Sequence, residues 1–130
     1  MPNWQPNWSD VVWDQGAANE AIAALQRAAG QLESSVQERK LVAAAAQTEW
    51  RGRFREEFDI DLARMIQQAL SIAAEYRIVA NRIAAASTAA QNEQNHRLHE
   101  RERWRHEKRD EERREREERE RRERERQNRR

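Results

Sequence analysis

Three histidines, His96, His99 and His106, come nearest in type and spacing to a metal site. His96 and His99 share a helical face, and His106 follows His99 by two turns. The flanking arginines would repel a cation and the chain has no cysteine, so solvated helix residues are expected and no metal. Glu56, Glu57, Asp59 and Asp61 form an acidic cluster. Their place at the start of a helix suits the positive end of its dipole, a structural role rather than a catalytic one. No serine or cysteine nucleophile stands beside a histidine, and there is neither a glycine-rich phosphate loop nor a separated carboxylate pair. An enzyme is not expected, and no cofactor is implied.

The charged residues bound the partners. They make up 38% of 130 residues yet nearly cancel, to a net +1. Residues 91–130 carry 16 basic and 13 acidic side chains, interleaved rather than sorted onto one face, which weakens counterion release as a driving force. Nucleic acid is therefore not an expected partner. No apolar run approaches the roughly 18 to 20 residues that span a bilayer. The N-terminus lacks the basic and apolar regions of a cleavable signal peptide. A cytoplasmic protein is expected, with export, if it occurs, by a route that reads folded or C-terminal signals.

The elements that position these residues are helical. Gly52 is the last glycine, and no proline follows Pro6. The first helix is expected from about Asp10 to Trp50, with Ser9 or Asp10 as its N-cap and Asp14 as the later alternative. Its apolar seam is Ile22, Leu25, Ala29, Leu32, Val36, Ala43, Ala46 and Trp50, interrupted at Arg39. Gly30 within it either permits a close approach or marks a kink. The second helix carries Phe58, Leu62, Met65, Ala69, Ile72, Tyr76, Val79, Ile83, Ala86 and Ala90 at spacings of four and three, the repeat of a coiled-coil seam. A second row, Ile66, Leu70, Ala73 and Ala80, makes the stripe too wide for one partner helix. The expected fold is all-α: an antiparallel two-helix hairpin that dimerises into a four-helix bundle, with a Glu/Arg-rich helical C-terminal extension.

Three segments follow from this pattern. Residues 1–9 repeat Pro-Asn-Trp at Pro2-Asn3-Trp4 and Pro6-Asn7-Trp8, an extended arm expected to lay its indoles on the hairpin's apolar face. Residues 10–92 form the hairpin. Residues 93–130 form a charged single helix or partly disordered tail, where tertiary burial is expected to end. The tail's spacing supplies favourable pairs such as Glu115–Arg119 and Glu118–Arg122, each contributing about 0.2–0.5 kcal/mol.

Trp50-Arg51-Gly52 falls at the one break between the two long helices, with Phe54 and Phe58 following. A hairpin of about 90 residues turning at Trp-x-Gly resembles the WXG superfamily of type VII secretion. The match covers residues 10–90 in architecture and Trp50 to Gly52 in motif. The resemblance implies association with itself or a related hairpin, as a homo- or heterodimer. It also implies service as a substrate, co-secreted partner or accessory component of that secretion system. The Tyr-x-x-x-Asp/Glu export signal of such proteins has no match: Tyr76 is followed four residues on by Ala80, within the seam. His96-x-x-x-Glu100 keeps the acidic end alone, and Trp104-x-x-x-Lys108 has the wrong charge. The alternative reading is a cytoplasmic coiled-coil scaffold whose Glu/Arg helix is a stiff spacer.

Overall fold

The computed structural model describes all 130 residues. The chain is all-helical. Helix α1 spans Gln15–Gln47 and helix α2 spans Arg53–Asn128. They belong to two compact units, one formed by Asp14–Thr88 and the other by Met1–Trp13 with Ala89–Arg130. The sequence-based division at residues 9 and 92 differs from this, because the N-terminal arm groups with the charged end of α2.

Helix α1 begins later than Ser9 or Asp10 would place it. Asp14 is the N-cap, with an extended backbone and a carboxylate accepting from the Ala17 amide at 2.9 Å. That bond satisfies one of the orphan donors of the first turn. At the other end the helix stops at Gln47, and the Thr48 hydroxyl donates to the Ala45 carbonyl at 2.7 Å. Gly52 then reverses the chain at φ +100°, a backbone conformation that side chains with a Cβ rarely adopt.

Within the hairpin unit, α1 packs against the Arg53–Thr88 part of α2. On α1 the buried residues are Ala18, Ala29, Val36 and Ala43, with Ile22, Leu25 and Leu32 half-buried between them. On α2 the inward residues are Phe58, Leu62, Ile66, Ala69, Ala73, Tyr76, Ala80, Ile83 and Ser87. This corrects the expected α2 seam by one residue in every heptad. Met65, Ile72 and Val79, assigned to the seam from sequence, lie outward at 47%, 41% and 41% exposure, and Leu70 is also exposed. Ile66, Ala73 and Ala80 take the interior instead.

The physical reason is side-chain size. The row through Leu62, Ala69, Tyr76 and Ile83 can be completed on either flank. The flank with Ala73 and Ala80 lets the backbones approach more closely than the flank with Ile72 and Val79. The deepest positions are accordingly alanines: Ala29, Ala73 and Ala80 are essentially inaccessible. The ion pair that joins the two helices is Glu33 with Arg77, whose Nε and Nη2 donate to Oε1 and Oε2 at 3.0 and 3.1 Å. Both side chains are nearly half exposed, so this pair fixes register more than it stabilises.

The two hairpin glycines predict opposite mutational outcomes. Gly30 lies in unbroken helix, and a Cβ there meets nothing within 4 Å, so it is not a close-approach site. Gly30→Ala should stabilise the hairpin by about 0.5–1 kcal/mol through helix propensity. Gly52→Ala should destabilise it by about 1–2 kcal/mol through its left-handed backbone. Thermal denaturation of the two variants checks both signs.

Candidate interaction surfaces

Two surfaces carry the chemistry this chain can offer, one in each unit. In the hairpin unit the outward apolar residues include Met65, Ile72 and Val79 along α2, with Leu70 and Ile78 also exposed there, Leu41 and Val42 on α1, and Phe54 and Ile60 near the corner. Val42, Ala43, Ala46, Phe58, Leu62 and Met65 line an open groove of about 720 Å³, edged by Glu38, Arg39 and Asp61. Beside it, where Arg39 interrupts the apolar repeat of α1, a gap of about 70 Å³ remains between Leu32, Val36, Leu62 and Ile66. No large side chain in the unit is fully buried. The most deeply buried positions of the hairpin are thus mostly alanines, joined by Val36, and several of its larger apolar side chains lie at the surface.

At the corner, Trp50 packs against Phe58 with ring centroids 5.2 Å apart and planes tilted by 48°. Arg55 donates to the Trp50 carbonyl at 3.3 Å, and Gln47 donates to the Asp59 carboxylate, tying the two helix ends together. Trp50 remains partly open and Phe54 is largely solvent-exposed. The acidic cluster at the start of α2 is therefore partly used, through Asp59, in holding the corner.

The second surface was not legible as a site from sequence. Burial does not end at Ala90. The inward series through Leu62, Ala69, Tyr76, Ile83 and Ala90 continues as Arg97, Trp104 and Glu111. The series through Ile66, Ala73, Ala80 and Ser87 continues as Gln94, Arg101 and Lys108. In the second unit Gln94, Arg97, Arg101, Trp104 and Glu111 meet the N-terminal arm, while Lys108 lies over the Trp104 ring. Arg101 and Trp104 are each only 8% exposed. The arm's indoles therefore do not lie on the hairpin's apolar face, as expected from sequence, but on the charged end of α2. The reason is that arginine stems and an indole offer apolar cover while their polar ends reach the arm's backbone.

The contacts are specific. Arg101 donates from Nε to the Asn7 carbonyl at 3.0 Å, from Nη2 to the Ser9 carbonyl at 2.7 Å and from Nη1 to Asp10 Oδ1 at 2.9 Å. Arg97 donates to the same Ser9 carbonyl at 3.0 Å. Gln94 accepts from the Val11 amide at 2.7 Å and donates to Asp10 at 3.0 Å. Trp104 donates its indole N–H to the Trp4 carbonyl at 2.9 Å, and Trp4 donates its own to Glu107 at 2.6 Å. Trp8 meets Trp104 edge-on, centroids 5.3 Å apart. Arg103 lies over the Trp4 ring at 4.4 Å and Arg105 over Trp8 at 5.5 Å, both cation–π distances. The Met1 ammonium sits 2.6 Å from Glu111. Pro2 and Pro6 are buried between these contacts.

Hydrogen bonds from Gln94 and then Arg101, reinforced by the Arg101 charge, hold the Asp10 carboxyl below its ordinary pKa. A depressed carboxylate contributes stability above its unfolded pKa, about 3.9 for aspartate, and loses it as pH falls through the lower folded value. The arm should accordingly loosen in acid, below about pH 4. Tryptophan fluorescence should report that release, and Asp10→Asn should remove its Asp10-dependent part.

Beyond Glu111 every residue of α2 is exposed. Glu115–Arg119 at 3.9 Å and Glu118–Arg122 are among the i,i+4 pairs that support this solvated helix. His96 and His99 are exposed, and His106 lies 3.4 Å from Asp110 on the next turn. No three His, Asp or Glu side chains converge in a metal-binding arrangement. No helix is long and apolar enough to cross a membrane. No family model, curated protein or solved structure matches the chain.

Proposed function

We propose that the protein acts by association rather than catalysis. A second copy, or a related hairpin, covers the outward stripe of the Asp14–Thr88 unit and completes a four-helix bundle. The observation that carries this reading is the inverted burial of α2. Ala73 and Ala80 are hidden while Met65, Ile72 and Val79 face outward, Met65 lining the open groove. A hairpin with several large apolar side chains outside is expected to have a partner for them.

The WXG-like reading gives the association its context: a substrate, co-secreted partner or accessory component of a type VII secretion system. It is supported by the position of Trp50 and Gly52 at the reversal, with Gly52 in the left-handed conformation and Trp50 on Phe58. Sedimentation across micromolar concentrations tests the association, for which a dimer is the expected species and a compact monomer the refuting one. Recovery from culture filtrate, dependent on a secretion ATPase, tests the context.

The alternative, a cytoplasmic coiled-coil scaffold, is favoured by Tyr76. It is half-buried within the helix seam and has no acidic residue four positions on, so it supplies no export signal. The solvated helix beyond Glu111 would then serve as a spacer.

A further inference from the structure

We propose that the α2 face from Gln94 to Glu111 is a recognition site for an extended, proline-spaced peptide. Its partner in trans is the Pro-Asn-Trp arm of a second copy of this chain. This inference does not rest on the hairpin association proposed above.

The argument begins with what the face reads. Most of its polar contacts go to backbone: Arg101 and Arg97 to the carbonyls of Asn7 and Ser9, Trp104 to the carbonyl of Trp4, and Gln94 to the amide of Val11. Indole and guanidinium donors aimed at the carbonyls of a proline-spaced strand are the chemistry by which extended Pro-rich peptides are recognised. Proline limits the arm's freedom before docking, which lowers the ordering cost.

The spacing also fits. The arm repeats every four residues, from Pro2 to Pro6 and from Trp4 to Trp8, while the face repeats every seven. Four extended residues advance about 12 Å and seven helical residues about 10.5 Å, so one arm repeat meets roughly one heptad. The backbone contacts advance along the face at about this pitch, from Trp4 at Trp104 through Asn7 at Arg101 to Ser9 at Arg97, while both indoles rest on one turn, Trp4 against Arg103 and Glu107 and Trp8 against Trp104 and Arg105.

None of these contacts requires that arm and face share a chain. Each copy carries one arm and one seat, so two copies that exchange arms keep every contact that two closed copies make. This is the condition under which swapping is a low-cost route to a dimer. The segment that would redirect the arm is non-helical from Val11 to Asp14 and includes Val12, which is almost wholly exposed.

Two experiments on the full chain test this. In the first, Trp4→Ala with Trp8→Ala weakens the resident arm and leaves the seat intact. A fluorescein-labelled peptide of residues 1–12 should bind this variant saturably, and adding Arg101→Ala should weaken binding by more than about tenfold. No saturable binding to a variant that keeps its helical circular dichroism overturns the proposal.

The second uses otherwise native arms and exploits the absence of cysteine. A donor at Asn3→Cys on one copy and an acceptor at Glu112→Cys on another should show energy transfer on mixing. Transfer should survive Ile72→Glu in both copies and be lost with Arg101→Ala in the acceptor copy. Transfer confined to doubly labelled single chains, and absent on mixing at all concentrations, overturns the exchange.

Discussion

Arg101→Ala is expected to release the N-terminal arm while leaving the Asp14–Thr88 hairpin folded. The guanidinium makes three charge-assisted hydrogen bonds to Asn7, Ser9 and Asp10 from a side chain that is almost fully covered. Hydrogen bonds to charged groups contribute about 1.5–3 kcal/mol, but the acceptors freed here can return to water. A net loss of about 2–3 kcal/mol in arm docking follows, a shift of roughly 30- to 150-fold in the docked-to-open ratio. Hydrogen exchange at the Val11 amide, held by Gln94, should accelerate by that factor, while amides in α1 keep their protection. Uniform acceleration throughout the chain would show that the two units unfold together.

Ile72→Glu combined with Val79→Glu should have the reverse effect, abolishing association and sparing the folded hairpin. Both side chains face outward, so charge there is solvated in a lone hairpin and costs it little. At the centre of a four-helix bundle the same carboxylates would be buried without partners. Such uncompensated charge costs about 3–5 kcal/mol, enough to weaken dimerisation by more than a hundredfold. Sedimentation should then report a monomer whose helical circular dichroism matches that of the parent. Loss of helicity in this variant would instead place Ile72 and Val79 in the interior of the single hairpin.

The two helices and the turn were legible because their signals are local. Asp14 can cap, Gly52 can reverse the chain, and nothing between Arg53 and Asn128 breaks a helix. The choice of seam was harder. Heptad spacing defines a wide stripe on α2 but not which flank faces α1, and hydrophobicity favours Ile72 and Val79 over Ala73 and Ala80. Packing chose the smaller pair, because what decides it is how closely two backbones can approach.

The arm's seat was hidden for a different reason. Arg97, Arg101 and Gln94 read as surface residues when judged by polarity, although they continue the seven-residue series of Leu62 and Ile66. Following that spacing past Ala90 regardless of residue type would have reached Trp104, the one aromatic of the charged segment. It would have matched Trp104 to the two indoles of the arm. Hydrophobic periodicity finds helix-on-helix contacts; a helix that holds an extended strand uses long polar side chains, and leaves a weaker trace.

The unequal distribution of indoles has a spectroscopic consequence. Trp4, Trp8, Trp13 and Trp104 belong to the unit that contains the arm, and only Trp50 to the hairpin. Intrinsic emission therefore watches chiefly the seating of a short strand, whereas far-ultraviolet dichroism watches the helices. The two optical signals should melt at separate temperatures, and their coincidence would mean that the strand and the coil part in one cooperative step.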